Sequence, residues 1–164
     1  MLDDHAGTDY YQTDASKFTI AKGRDRLACV TLTGGSLLRW YCATCKTPVA
    51  NALSSDRFAF VTLYLSGFDR GKANALLKQD VGHLSIGSGV GDLSKVKTAS
   101  MTALLWKLLV RTVKAQFNPE LKKSPLFDAT TGKPIAVPIK LTPAERLAID
   151  EKADIYRDVL AEVR

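Results

Sequence analysis

The chain has 164 residues, of which 46% are hydrophobic and 24% charged, and its formal net charge is +6. This length and composition predict one folded domain with room for a terminal extension, and they exclude a disordered chain. No apolar run approaches the roughly 18 residues of a membrane-spanning helix, and the scattered basic residues favour solubility over nucleic-acid binding.

The N-terminal segment begins Met1-Leu2-Asp3, and it lacks both the basic and the apolar stretch of a secretory signal. We therefore expect a cytoplasmic protein that makes no contact with membranes. There are three cysteines, and an odd count argues against a closed set of disulfides. In a reducing compartment, a close pair of cysteines is more often metal-binding or catalytic.

The first half of the chain predicts β-strands. Residues 17–21 are short and extended, and residues 27–32 and 37–42 are apolar runs that flank a Gly34-Gly35 pair. Because two glycines supply the positive φ angles of a tight turn, we expect these two runs to form a hairpin. Residues 58–65 are aromatic and β-branched and give the strongest strand prediction.

A glycine- and serine-rich loop is predicted over residues 82–91. Its Gly87-Ser-Gly-Val-Gly91 stretch has backbone N–H groups that can cradle an anion. The stretch matches neither the dinucleotide-binding nor the Walker spacing, so we interpret it as a plain surface loop.

The C-terminal third predicts two amphipathic helices. Residues 99–117 have a broad apolar face, and Asn118-Pro119 is expected to end this helix. Thr142 and Glu145 have the spacing of a capping box and predict the start of a second helix. Apolar helix faces must pack on the sheet or on a partner, so a homo-oligomer is one interpretation.

The expected fold class is therefore mainly β with C-terminal helices. We predict a β domain over residues 1–98 and a helical extension over residues 99–164 that packs on it. The stripe of Lys107, Arg111 and Lys114 on the first helix can bind carboxylates, lipid head groups or phosphates, but we interpret it as a solvated helix face.

Cys42 and Cys45 form a Cys-x-x-Cys pair at the end of a predicted strand. Zinc binds four ligands in a tetrahedron, and one such turn supplies two of them as thiolates. A redox dithiol of the thioredoxin type would lie at a helix N-terminus, and nothing after Cys45 is typical of a helix. The setting favours zinc over redox chemistry, and two metal-free thiols remain as the third interpretation.

The residues around the pair resemble the glutathione-dependent formaldehyde-activating enzyme family, which also contains the centromere-protein-V-like proteins. That family carries Arg-x-Phe-Cys-x-x-Cys-Gly near the end of its zinc domain. Arg39, Tyr41, Cys42 and Cys45 fall on this pattern, with Tyr41 in place of Phe and Lys46 in place of Gly. Residues 5–9, 12–13, 37–48, 124–134 and 141–146 also look like a bacterial branch of this superfamily.

The resemblance implies a zinc-binding, all-β fold of the tent type and carbon–sulfur lyase chemistry on a thiol adduct, S-hydroxymethyl-glutathione. A small thiol would then be the substrate, and Arg39 a candidate contact for it. Family members carry a Cys-x-Cys and another Cys-x-x-Cys upstream, whereas no cysteine precedes Cys29 here. The sequence thus resembles a member that lacks the N-terminal third, through a late start codon or a deletion.

Other residues can complete a zinc site. The expected hairpin brings Val30 opposite Trp40, which would place Cys29 near Tyr41 or Cys42, and the strand register decides which way Cys29 faces. Cys29 is the third candidate ligand, although a lone cysteine is usually a small buried apolar residue. His5 and His83 are weaker candidates, and a site shared between two chains is a further alternative.

Three hypotheses follow for function. The first is a zinc-dependent enzyme with carbon–sulfur lyase-like chemistry. The second is a non-catalytic interaction module with a degenerate metal site. It would self-associate or bind a partner through the apolar face of residues 99–117 and an unpaired sheet edge. The third is a Cys-x-x-Cys redox protein.

Overall fold

A computed structural model describes residues 7–32, 35–65, 68, 71, 82 and 89–162 of the chain. Six strands form one sheet in the order β1-β5-β4-β3-β2-β6, and two helices follow in the C-terminal third. The sequence-based expectation of a mainly β fold with C-terminal helices is therefore confirmed. The strands are β1 Tyr10–Thr13, β2 Leu27–Thr31, β3 Leu37–Cys42, β4 Pro48–Leu53, β5 Val61–Tyr64 and β6 Ile139–Lys140.

The hairpin of β2 and β3 forms as predicted, but its register differs by one residue from the expected one. Cys29 lies directly opposite Trp40, and Val30 lies opposite Arg39 rather than Trp40. Directly opposed residues of an antiparallel pair point to the same face of the sheet. Cys29 and Trp40 therefore share a face, and both are fully buried there. The Gly34 half of the predicted turn lies outside the described residues.

Two of the strand predictions need correction, and two strands were missed. Residues 17–21 are not a strand; a 3-10 helix at Ala15–Lys17 precedes an extended Phe18. The strand expected at 58–65 is confined to Val61–Tyr64. Strands Tyr10–Thr13 and Pro48–Leu53 were not predicted, because the first is only four residues long and the second combines proline, alanine and asparagine, which disfavour strands.

The core lies on one face of the sheet, under a segment that follows the first helix. Leu126 and Phe127 from that segment are buried against strand residues of β2, β3, β4 and β5. Ala50 lies opposite Trp40, and its small side chain leaves space for the indole. Strands from the first half and a loop from the C-terminal third thus share one hydrophobic core. The division at residue 98 stays a prediction.

Helix α1 spans Met101–Phe117, and Ser100 caps it by accepting a hydrogen bond from the N–H of Ala103 at 3.3 Å. The helix ends before Asn118 as predicted, and a 3-10 helix at Pro119–Lys122 follows. Arg111 reaches back to Asp14 with an N–O distance of 3.4 Å. This ion pair ties the inner side of α1 to the sheet domain.

Helix α2 spans Pro143–Glu162 and begins with the predicted capping box. The Glu145 carboxylate accepts hydrogen bonds from the N–H and the hydroxyl of Thr142, each at 2.8 Å. Just before this helix, β6 pairs in parallel with β2, and the N–H of Leu141 donates to the carbonyl of Thr31. Within the part of the chain described here, neither helix is long and apolar enough to cross a bilayer.

Truncation of Leu126 tests whether this segment completes the core. Because Leu126 has no exposed surface, Leu126→Ala should lower the free energy of unfolding by about 2–5 kcal/mol, measured by urea denaturation. Val137→Ala is the matched control, since Val137 is 89% exposed and its truncation should cost no more than about 0.5 kcal/mol. Equal effects of the two substitutions would contradict the placement of Leu126 in the core.

Candidate functional site

The Cys-x-x-Cys turn directly follows β3 and is closed by backbone hydrogen bonds. The N–H of Lys46 donates to the carbonyl of Cys42 at 2.8 Å, and the N–H of Cys42 donates to the carbonyl of Thr47 at 2.9 Å. The N–H of Ala43 donates to the carbonyl of Arg26 at 2.8 Å, which ties the turn to the residues just before β2. The turn is thus held by hydrogen bonds within itself and by one hydrogen bond to Arg26, just before β2.

Lys46 adopts the left-handed conformation, with a φ of 59°. Glycine takes this conformation at little cost, whereas a side chain with a Cβ is strained in it. The backbone of Lys46 therefore has a conformation that a glycine would favour, and glycine is the residue that the resembled superfamily has at this position. Its Nζ donates to the Ala43 carbonyl at 2.7 Å and lies 5.7 Å from the centre of the Tyr41 ring. These contacts hold the lysine over the turn.

The Cys45 thiol is exposed and is hydrogen-bonded to a neighbouring threonine. The Cys45 sulfur lies 3.1 Å from the Thr47 hydroxyl, and Cys45 is exposed whereas Cys42 is half-buried. Hydrogen bonds from the Thr47 hydroxyl, the Thr47 N–H and the Cys42 thiol lower the pKa of Cys45 to about 7. Because the thiolate is the form that binds metals and attacks electrophiles, the turn is prepared for either chemistry near neutral pH.

Cys29, the candidate third ligand, faces the core. Its sulfur donates to the Ala136 carbonyl at 3.5 Å, and burial raises its pKa to about 11. Cys29 lies opposite Trp40 while Cys42 lies opposite Leu27, so the two cysteines are diagonal neighbours across the hairpin. The register therefore places Cys29 near Cys42 in the sheet, but the Cys29 thiol is hydrogen-bonded to a backbone carbonyl within the core.

No further metal ligands join the pair among the described residues. Within that part of the chain, no group of three or more His, Cys, Asp or Glu side chains is arranged to hold a metal ion. The two histidine candidates, His5 and His83, lie outside the described residues, as do residues 83–88 of the predicted glycine-rich loop. The turn accordingly offers two of the four ligands that a structural zinc site needs.

An open groove of about 500 Å³ lies beside Cys42. Its lining combines apolar and charged residues: Ile20, Lys22, Gly23, Asp25, Arg26, Leu27, Cys42 and Val49. Gly23 has a φ of 75° and begins the 3-10 helix Arg24–Arg26, which brings these charges beside the cysteine turn. Sequence reasoning missed this groove, because residues 22–26 lie far from Cys42 along the chain and no spacing pattern connects them.

Arg39, the candidate substrate contact, lies on the other face of the sheet. It is directly opposite Asn51, and Asn51 exchanges hydrogen bonds with the Tyr64 hydroxyl at 3.3–3.4 Å. The ring of Tyr10 packs at 4.9 Å from that of Tyr64. Burial and the neighbouring Tyr64 raise the pKa of Tyr10 to about 12. Arg39 thus belongs to a polar and aromatic cluster, separate from the groove beside Cys42, and its role stays a prediction.

The fold and the site define a mixed β-sheet protein with an accessible pair of cysteines on a strand-end turn. The chain belongs to DUF6151, a family of unknown function whose model matches residues 1–138. That span covers the cysteine turn, the groove and α1, and it ends before β6 and α2. No curated protein and no solved structure matches the chain. The resemblance to the formaldehyde-activating superfamily therefore depends on the motif residues and stays a prediction.

The difference in thiol pKa predicts selective alkylation of the metal-free native protein. Because the pKa of Cys45 is lowered, its thiolate predominates above about pH 7, and its reaction with iodoacetamide should rise between pH 6 and 8 and then level off. Cys29 is buried with a raised pKa and should stay unmodified until the protein unfolds. Mass spectrometry of peptides over a pH series measures both, and equal modification of the two residues would contradict this arrangement.

Proposed function

We propose that Cys42 and Cys45 bind zinc and that the protein is a zinc-binding member of the formaldehyde-activating superfamily. The observation that carries the proposal is the shape of the turn. Cys42 and Cys45 lie on one strand-end turn whose residue 46 is left-handed, at the position where the superfamily has glycine. The Lys46–Cys42 hydrogen bond keeps the two cysteines on one closed turn, as a pair of zinc ligands requires.

The thiols fit zinc as two of its four ligands. Thiolates are the favoured ligands of structural zinc, and the lowered pKa of Cys45 reduces the cost of losing its proton. We place the other ligands among residues outside the described part of the chain or on the same pair of a second copy, and Cys29 is the alternative that its alanine variant tests. A shared site would bind one zinc ion per two chains.

The proposed activity is carbon–sulfur lyase-like, with a small thiol adduct as the substrate and the cytoplasm as its location. Zinc with an open coordination position polarises a substrate oxygen or holds a thiolate. The groove beside Cys42 suits such a substrate, because Lys22 and Arg26 supply positive charge for carboxylates and Leu27 supplies an apolar wall. These residues bind and orient the substrate.

Metal analysis of the purified protein tests zinc binding. Wild-type protein should contain one zinc ion per chain for a site completed within the chain and one half for a shared site, and Cys42→Ser/Cys45→Ser should contain none. Cys29→Ala is the matched control, and it should keep the zinc because Cys29 donates to Ala136 in the core. Metal-free wild-type protein that stays folded by circular dichroism would refute the proposal.

Loss of zinc from a folded Cys29→Ala variant would instead show that Cys29 is a ligand. Activity is tested separately, by following the condensation of formaldehyde with a low-molecular-weight thiol by nuclear magnetic resonance. The rate with zinc-loaded wild-type protein should exceed the rate with the double serine variant. Equal rates would leave zinc binding intact and refute the lyase-like activity.

Redox chemistry is the second candidate, and the pKa of about 7 at the exposed Cys45 favours it. In this reaction, the Cys45 thiolate attacks a substrate disulfide, and the Cys42 thiol then displaces the remaining thiol and closes an intramolecular disulfide. Glutathione redox buffers of graded potential test it, with the Cys42–Cys45 disulfide counted by mass spectrometry. A pair that stays reduced across the physiological range would exclude a redox function.

A further inference from the structure

Helix α1 carries a stripe of exposed apolar side chains along its outer side. Every fourth residue from Met101 to Phe117 contributes to it, and Trp106 lies beside it with 65% of its surface exposed. Phe117 at the end is 86% exposed. The stripe consists of Met101, Leu105, Trp106, Leu109, Val113 and Phe117. A continuous apolar surface of this length is typical of a contact surface rather than of single exposed residues.

Helix α2 is exposed along its length. Among its described side chains, only Arg146 and Asp150 are half-buried, and these two form an ion pair with each other at 2.7 Å. The apolar residues Leu147, Ile149, Ile155 and Val159 are each 48–63% exposed. Most of the stability of a helix in a protein comes from the packing of its apolar side, so we expect this 20-residue helix to have a partner surface.

The two helices have opposite charge. Helix α1 has three basic residues and no acidic residue, whereas α2 has six acidic and three basic residues, so their formal charges are +3 and −3. Lys107 and Lys114 are exposed and seven residues apart on one flank of α1, beyond Trp106 and Phe117. Glu151 and Asp158 are exposed and also seven residues apart, beside Ile155 on α2. Seven residues rise about 10.5 Å along a helix, so the two pairs of charges have matching separations.

We propose that two copies of this chain form a dimer in which α1 of one copy packs on α2 of the other. In a two-fold dimer this contact forms twice, and both apolar surfaces are covered. Pairing of α1 with α1, or of α2 with α2, would place like charges against each other, so charge selects the pairing of unlike helices. This inference concerns the helices and is independent of the proposed zinc site.

Charge reversal tests whether α1 pairs with α2, and the mixing of two variants shows whether the paired helices belong to different copies. Lys107→Glu/Lys114→Glu makes both helices acidic, and Glu151→Lys/Asp158→Lys makes both basic. Each variant alone should dissociate with a constant at least about tenfold higher than that of the wild-type dimer, measured by sedimentation equilibrium. An equimolar mixture of the two variants should restore the dimer, because both contacts in the mixed dimer then join opposite charges.

The control Lys95→Glu/Lys133→Glu makes the same change of charge at exposed positions outside both helices and should leave dissociation unchanged. Circular dichroism confirms that each variant is folded. The proposal would be overturned if the wild-type protein were still monomeric at a concentration 100-fold above that used for the variants. A dimer that both reversals leave intact would overturn it too, as would a mixture that fails to restore association.

Discussion

The opposed pair of Cys29 and Trp40 is the constraint on which the rest of the sheet depends. Both side chains are fully buried on one face, so a shift of one residue in the hairpin would place them on opposite faces. The same register places Cys42 at the last position of β3, where the chain leaves the sheet. Burial of an indole in the core therefore determines where the exposed cysteine turn begins.

The three cysteines show how strongly local surroundings determine thiol chemistry. Cys29 is surrounded by the core, where loss of water disfavours the thiolate and raises the pKa. Cys45 is only a few residues past the end of the hairpin, but hydrogen bonds from Thr47 and Cys42 stabilise its thiolate. The hairpin and the turn after it thus carry one thiol with a raised pKa and one with a lowered pKa. The thiol with the lowered pKa lies in a turn whose backbone would suit either a metal or a disulfide.

Sequence reasoning recovered the elements whose signals are local. The strand at Leu37–Cys42 and the capping box at Thr142 depend on neighbouring residues, and both were predicted at the right positions. Strand Pro48–Leu53 has weak local propensity, and the small side chain of Ala50 is explained by the bulk of Trp40 opposite it. The groove beside Cys42 depends on the contact between Ala43 and Arg26, which no sequence spacing reveals. The cysteine pair was found because its spacing is itself local.

The short pairing of β6 with the edge of β2 has a consequence for the C-terminal helix. Only Leu141 and Thr142 lie between β6 and the first residue of α2, and the N–H of Leu141 is itself hydrogen-bonded to the carbonyl of Thr31. The helix is therefore mounted at one end on the sheet rather than attached by a flexible tether. A helix that is fixed at one end has already lost much of its freedom to reorient, so its binding to a surface costs less conformational entropy than the binding of a flexible tail.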